Sequence, residues 1–248
     1  MDNKIPKIIH YCWFGKNPEP ALMRECIKSW HKFFPVDEYE YKLWNEDTFD
    51  LNSHPFVKQA YENKKWAFIT DYVRLWALYN YGGIYADTDV EILKPMDIFL
   101  NENAFSGFED EQYIPTGIMG AKPGNVWIKS LLSYYDERAF VRMDGSLETT
   151  PNTKIITEIS VDFFGLKINN KKQTLLNSSV TIYPKDYFCP KNHYSEKIIL
   201  SDNSYAIHHF SGSWKTPKDK FKQKIHKMII SLVGENAHQV ILKKLKGL

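Results

Sequence analysis

Two aspartates two positions apart, Asp87 and Asp89, close a short apolar run, Ile84-Tyr85-Ala86. Carboxylates so placed can converge on one divalent cation. Hard oxygen ligands suit Mg²⁺ or Mn²⁺, ions that also bind diphosphates. The triplet alone is weak evidence. With 15 aspartates in 248 residues, roughly one Asp-x-Asp arises by chance, and an exposed polar loop would carry it equally well. Upstream, Asp71 and Arg74 stand three apart on a helical stretch and share a face. A surface ion pair there would contribute little. Most of their neighbours are apolar, however, which turns that face toward a sheet. A guanidinium in such a place needs partners, and a phosphate or a sugar hydroxyl would serve.

A metal site also needs a ligand from farther along the chain. The candidate segment is Tyr205-Ala-Ile-His208-His209-Phe-Ser-Gly-Ser213-Trp214. Neighbouring histidines on a strand point to opposite faces, so at most one of them is a ligand. Glu109, Asp110 and Glu111 form a further acidic run, read either as a solvated loop or as an acceptor-side contact. Trp44, Trp66 and Trp76 read as core.

These residues must be positioned by regular elements. Residues 7–14 form an apolar, aromatic-rich first strand. Residues 21–34 carry helical spacing up to Pro35, and residues 39–44 alternate as a second strand. Strand, helix and strand in succession open a doubly wound α/β unit. A short helix over 54–64 and a longer one over 66–81 follow, the latter capped by Gly82-Gly83. Strands are expected at 84–87, 90–93, 104–108, 117–121, 180–183 and 205–209. Further helices are expected at 126–135 and 153–164, with a polar loop over 136–153. In open α/β sheets ligands sit at the carboxyl ends of strands, which is where Asp87 and Asp89 fall.

Composition agrees with one globular α/β domain: 43% hydrophobic, 25% charged and 15% aromatic residues. This excludes a disordered or collagen-like chain. The net charge of +2 hides an asymmetry. Residues 215–248 hold nine lysines against Asp219 and Glu235, a local +7, and leave the remainder at −5. The body is therefore no nucleic-acid binder by charge, and the tail is strongly basic. Three cysteines without metal spacing point to a reducing compartment. Neither a signal peptide nor an apolar run of membrane-spanning length is visible.

The stretch Phe68-Ile-Thr-Asp71-Tyr-Val-Arg74-Leu-Trp-Ala-Leu-Tyr-Asn-Tyr-Gly-Gly83-Ile-Tyr85-Ala-Asp87-Thr-Asp89 closely resembles the sugar-binding region of DxD-motif glycosyltransferases of family 32. That family includes fungal α-mannosyltransferases and bacterial capsule enzymes, and the glucosylating clostridial toxins carry a related segment. Ile5-Pro-Lys-Ile-Ile-His-Tyr-Cys-Trp13 is similar to the family's opening strand. The resemblance runs to about residue 125, is thin beyond it, and resumes at His208. Where many relatives have a Gly-Pro pair, this chain has Thr149-Thr150-Pro151-Asn152.

The resemblance implies a GT-A fold, a Rossmann-like doubly wound mixed sheet, over residues 1–214. Charge and helical spacing read 215–248 as a basic amphipathic helical tail. The resemblance also implies a nucleotide-sugar donor. Trp13 would stack the nucleobase, Asp71 and Arg74 would hold the sugar hydroxyls, with Arg74 also near the diphosphate, and Tyr85 would line the donor site. Asp87 would contact the ribose, the sugar or the metal through water, and Asp89 would ligate the metal directly. His209-Phe-Ser-Gly212 resembles a His-x-x-Gly that supplies a metal ligand in related enzymes, so His209 is the favoured histidine. Ser213 and Trp214 would close over the diphosphate.

The expected activity is an Mn²⁺- or Mg²⁺-dependent transfer of a hexosyl unit from a nucleotide sugar, UDP favoured over GDP, to a glycan or lipid-linked saccharide hydroxyl. By resemblance the reaction retains anomeric configuration and belongs to cell-surface polysaccharide synthesis, as in capsules. The sequence offers no paired carboxylate for double displacement. The alternatives are a nucleotide-sugar hydrolase and a non-catalytic sugar- or nucleotide-binding protein. The expected location is cytoplasmic, with the tail either packed on the domain or bound peripherally to an anionic membrane surface.

Overall fold

The structure is a computed structural model that describes residues 4–114, 117–193, 195–212 and, farther on, 225, 228, 229, 232 and 234. Its frame is a seven-stranded mixed sheet. The strands are β1 (Ile8–Cys12), β2 (Glu40–Trp44), β3 (Gly83–Ala86), β5 (Ala104–Gly107), β6 (Ile118–Ala121), β7 (Gln173–Thr174) and β8 (Thr181–Tyr183), in the order β2-β1-β3-β6-β5-β8-β7. β1 pairs in parallel with both β2 and β3, while β6 runs antiparallel between β3 and β5. A second, two-stranded sheet joins β4 (Val90–Ile92) to β9 (Ala206–His208).

Helices cover both faces. The helices α2 (Pro55–Glu62), α3 (Trp66–Tyr81), α4 (Val126–Ser133) and α5 (Asn152–Phe164) share one core, in which Val57, Ile69, Val73, Leu78, Trp127 and Ile156 are buried. The other face packs α1 (Ala21–Phe33) through Cys26 and Trp30 against Ile9, Ile84 and Val90, together with a 3-10 turn at Asp97–Asn101 and the short α6 (Lys185–Phe188). A parallel strand pair needs a crossover, and helices on both faces follow from it. The doubly wound α/β expectation agrees with this layout. Four small features were not expected: the 3-10 turns at Asp97–Asn101 and Leu176–Ser178, β7 and α6. The loop over 136–153 also contains a tight hairpin, with Val141 bridging to Leu147.

One junction sets the site's position. Helix α3 ends at Gly82 and Gly83, with φ of +65° and +105°. A Cβ on Gly82 would stand 2.6 Å from Pro123 Cδ, and one on Gly83 2.6 Å from Ile8 O. Only glycine allows the chain to turn there and drop into β3 beside β1. His10 locks this turn. Trp44 Nε1–H donates to His10 Nδ1 (3.2 Å), and the other ring nitrogen, Nε2, meets Gly82 O at 2.7 Å. The indole can only donate, so the imidazole is the neutral tautomer with its proton on Nε2. It is fully buried, near-parallel to Trp44 at 6.0 Å and beside Tyr81 at 6.2 Å.

Of the expected tail, only the five isolated positions named above are described. Ile225, Met228, Ile229 and Leu232 are helical there. Ser213, Trp214 and the rest of 215–248 lie outside the described residues.

Burial lowers the His10 pKa to about 4 from 6.5, with the hydrogen bond to Gly82 O opposing it. The unfolded chain therefore binds a proton that the folded chain refuses as pH falls from 6.5 toward 4. Stability present above pH 6.5 is lost on acidification, by about 2 kcal/mol between pH 7 and 5. Urea unfolding at the two pH values should show this loss. A His10→Gln variant should be less stable at pH 7 and lose less on acidification, and an unchanged slope would remove His10 as the cause.

Candidate active site

The site lies where β3 leaves the large sheet. Asp87 follows the last residue of β3, and its N–H donates to Gly117 O at 2.8 Å. A turn closed by Val90 N–H on Asp87 O (2.9 Å) then carries Asp89 into β4. β4 pairs antiparallel with β9, Val90 opposite His208. The ladder continues one step as His209 N–H donates to Asp89 O at 2.9 Å. Residues more than 115 positions apart thus meet at one corner.

Beneath that corner Arg74 is buried, 5% exposed. Its guanidinium reaches Asp71 Oδ1 at 3.1 Å and Asp87 Oδ1 at 3.4 Å, and lies 4.7 Å over the Tyr85 ring. Tyr85 O–H donates to Asp87 Oδ1 at 2.7 Å, and Asn152 Nδ2–H donates to Asp71 Oδ1 at 3.0 Å. The face shared by Asp71 and Arg74 therefore looks into the protein. Burial raises Asp71 to a pKa of about 6, with Arg74 opposing and Asp87 reinforcing the shift. Burial disfavours the Arg74 charge, yet Asp87, Tyr85 and Asp71 together hold its pKa above the ordinary value. Removing one partner from such a cluster leaves a charge uncompensated and costs about 3–5 kcal/mol.

Asp87, Asp89 and His208 form a group whose potential ligand atoms all lie within 4.8 Å of one another. His208 Nε2 stands 3.3 Å from Asp89 Oδ1, and Ser211 N–H donates to Asp89 Oδ2 at 2.8 Å. Burial acts to raise Asp89, but His208 and the Ser211 N–H outweigh it and hold the carboxyl well below the usual range. Burial disfavours charge on His208 too, and Asp89 outweighs that, so the imidazole pKa is raised well above 6.5. Two carboxylates and one imidazole fit a hard or borderline divalent cation, with coordination positions left for water or phosphate oxygens.

The structure thus brings together Asp71, Arg74, Tyr85, Asp87 and Asp89 from the sequence expectation. It separates the two histidines. His209 turns away to Glu91, with Nε2 2.9 Å from Oε2, and His208 enters the acidic group. The alternation along a strand required such a split. Which histidine turned inward depended on Asp89 sitting in a turn outside the pleat. Trp13 is half-buried just past β1, its indole N–H donating to Asn17 O at 2.8 Å. Ser213 and Trp214 lie outside the described residues.

The acidic run is not a uniform solvated loop. Glu111 is exposed, and Asp110 accepts from the backbone of Gln112 and Tyr113. Glu109 is drawn inward, raised to a pKa of about 7 by burial against the opposing charge of His208. Asn152 escaped sequence reasoning. Its position after Pro151 reads as an ordinary helix start, and its pairing with Asp71 spans 81 residues.

Buried guanidinium, paired acids and an imidazole together form a polar corner whose charges suit an anionic ligand and a divalent cation. Residues 20–106 match the family model described as "Glycosyltransferase sugar-binding region containing DXD motif". That match takes in α1, α3, β3 and the Asp87–Asp89 pair. It is 30% identical over 140 residues to inositol phosphoceramide mannosyltransferase 3 of Schizosaccharomyces pombe, covering 55% of this chain and 38% of that protein. It is 26% identical over 239 residues to mannosyl phosphorylinositol ceramide synthase CSH1 of Saccharomyces cerevisiae, covering 92% and 58%. The chain therefore spans only about two fifths to three fifths of these relatives. Among solved structures it is similar to PaToxG glycosyltransferase (TM-score 0.47, 19% identity, 64% of this chain and 68% of that one). It is also similar to the galactosyltransferase LgtC with donor and acceptor sugar analogues (TM-score 0.47, 12% identity, 92% and 96%). Likenesses this distant say nothing of chemistry.

Asp89→Asn keeps the acceptor for Ser211 N–H but removes the charged oxygens. Mn²⁺ affinity, followed by electron paramagnetic resonance of the free ion, should fall on the order of 100-fold. The thermal midpoint should stay within a few degrees. Undiminished Mn²⁺ binding would exclude Asp89 as a ligand.

Proposed function

We propose that this protein transfers a hexosyl unit from a nucleoside diphosphate sugar to a hydroxyl of a glycan or lipid-linked saccharide, with a divalent cation and with retention at the anomeric carbon. The convergence of Asp87, Asp89 and His208 directly above the Arg74–Asp71 pair carries this reading. Asp89, His208 and Asp87 would hold Mn²⁺ or Mg²⁺, which when bound neutralises the departing nucleoside diphosphate. Arg74, locked by Asp71, Asp87 and Tyr85, presents a fixed positive charge beside that position. Preorganised charge of this kind stabilises the diphosphate without reorganisation. Asp71 and Asn152 would offer oxygens to sugar hydroxyls, and Trp13, just past the carboxyl end of β1, would stack a nucleobase. A GT-A arrangement accords with the doubly wound sheet.

The donor is a UDP-sugar in this reading, and the relatives' mannosyltransferase names make a GDP-mannose arm necessary. Those names also support a lipid-linked acceptor. A panel of UDP- and GDP-sugars assayed for Mn²⁺-dependent release of nucleoside diphosphate tests the proposal. Release that requires a saccharide acceptor supports transfer. Equal release without one makes the protein a hydrolase, and binding without release makes it a non-catalytic module.

Arg74→Lys keeps the charge but loses the planar fork that spans Asp71 and Asp87. Donor KM should rise about tenfold or more, at a cost of about 1–3 kcal/mol in stability. An unchanged KM would leave Arg74 as a structural ion pair.

We infer further that the basic tail holds the enzyme at the anionic cytoplasmic face of a membrane, where lipid-linked acceptors reside. Its support is the +7 excess over 215–248 and the exposed apolar side chains of Ile225, Met228 and Leu232 on described helical positions. A basic helix with an apolar face binds anionic lipid. Full-length protein should co-sediment with phosphatidylserine vesicles at low salt and release as salt rises. A chain ending at 214 should not bind, and unchanged binding after truncation would return the tail to packing on the domain.

A further inference from the structure

Helix α5 opens on Asn152 without a side-chain cap, and Pro151 stands directly before it. Asn152 is buried. Its Nδ2–H donates to Asp71 Oδ1 at 3.0 Å, and its Oδ1 is buried with no hydrogen-bond partner among the described residues. An acceptor left so costs folding energy unless a ligand donor meets it. Proline lacks an N–H, so the last backbone donor ahead of Asn152 is that of Thr150. That N–H donates to Glu148 Oε1 at 3.0 Å. Pro151, with φ of −59° and ψ of 134°, is the rigid link between this bond and Asn152.

Glu148 is itself anchored. It is 8% exposed, and its other carboxylate oxygen, Oε2, accepts from the Arg142 guanidinium at 3.0 Å. Its backbone N–H donates to Phe140 O at 2.7 Å. Phe140 is fully buried, its ring centroid 5.3 Å from that of Phe56 and 5.2 Å from that of Phe68. The hairpin between Phe140 and Glu148 is closed by Arg142 N–H on Ser146 O (2.8 Å) and tied to α2 by Val141 N–H on Gln59 Oε1 (2.9 Å). A nearly buried carboxylate is costly where it merely ends a loop. Here it connects the aromatic core under α2 and α3 to the first residue of α5.

We propose that Glu148 is a positioning residue for the donor sugar, fixing Thr150 so that Asn152 meets Asp71 and presents its Oδ1 to a sugar hydroxyl. The proposal rests on the donor reading above, in which Asn152 contacts the sugar. The hairpin has no part in the cation or diphosphate contacts. Glu148 therefore matters to a nucleoside diphosphate only when a sugar is attached. The competing account is that α5 sets Asn152 unaided, through the burial of Ile156 and the bond from Trp127 Nε1–H to Ser160 Oγ (2.9 Å).

The test is binding by the full chain in the presence of Mn²⁺, read by titration calorimetry, of UDP-glucose against UDP and of GDP-mannose against GDP. Asn152→Ala should weaken the sugar nucleotide about fivefold, the loss of one hydrogen bond, and leave the bare nucleotide unchanged. Glu148→Ala should weaken the sugar nucleotide alone by about threefold or more, and adding it to Asn152→Ala should cost nothing further. In Glu148→Gln combined with Arg142→Ala, the amide oxygen is free to accept from Thr150, and affinity should return to within about twofold of wild type. Thermal midpoints accompany each variant, and Glu148→Met, which keeps volume without an acceptor, stands in should Glu148→Ala not fold. Wild-type affinity for the sugar nucleotide in Glu148→Ala overturns the proposal. Equal weakening of the bare nucleotide also overturns it, as does a further loss in the double variant, because Glu148 would then act on the site at large. Undiminished affinity in Asn152→Ala removes the sugar contact and the proposal with it. Wild-type protein that binds none of the four probes defeats the donor reading itself.

Discussion

The arrangement depends on one short antiparallel ladder. β4 and β9 pair over three residues, with Val90 against His208, Glu91 against Ile207 and Ile92 against Ala206. It brings the acidic corner after β3 against the histidine pair, where His208 and the Ser211 N–H then reach Asp89 and His209 reaches Glu91. A slip of one residue would reverse the faces of every side chain in β9, sending His208 outward and bringing His209 against Asp89. Burial on both flanks holds the register, since Val90, Ile92, Ala206 and Ile207 are all nearly inaccessible. Trp30 contributes from α1 as well, its indole N–H donating to Val90 O at 2.7 Å. The first crossover helix thereby anchors the strand that follows the acidic pair.

The second requirement is the buried charge of Arg74. A guanidinium in an apolar helix face is costly unless its donors are satisfied. Here Thr70 O, Asp71 and Asp87 accept from it and Tyr85 lies beneath. Two acids share one cation, and Asn152 and Tyr85 bind the remaining charge by hydrogen bonds. The cluster is a rigid polar plug at the carboxyl end of the central strands. It costs folding energy that the two flanking apolar cores offset, and it yields fixed charges that need not rearrange when a ligand arrives.

Much of this was present in the sequence. The long helices and the strands around them follow apolar periodicity, and α1, α3 and α5 lie within one residue of their expected bounds at each end. Gly82-Gly83 marked the turn into β3. The face shared by Asp71 and Arg74 and the Asp87–Asp89 pair were also evident, because local spacing encodes them. What escaped were features set by tertiary closure. The preference for His209 over His208 failed to anticipate that Asp89 leaves the pleat, so direct opposition across the ladder does not decide its side-chain partner. Asn152 reaches the site from an element distant in sequence and carries no local signature. β7 and α6, at two and four residues, are too short for any periodicity to reveal.

The β4–β9 ladder also dictates an order of assembly. Every strand of the large sheet is complete by Tyr183, whereas the cation corner waits for His208. During synthesis the sheet can close and bury Arg74 before the last ligand leaves the ribosome. The acidic pair then stands for a time beside an open edge, β4, without its partner strand. An exposed edge invites pairing with other chains, and long-range contacts are the slow ones to form. The interval between sheet closure and the docking of β9 is therefore the vulnerable one for a nascent chain. A divalent ion meeting the chain at that stage would find the carboxylates of Asp87 and Asp89 without the imidazole of His208.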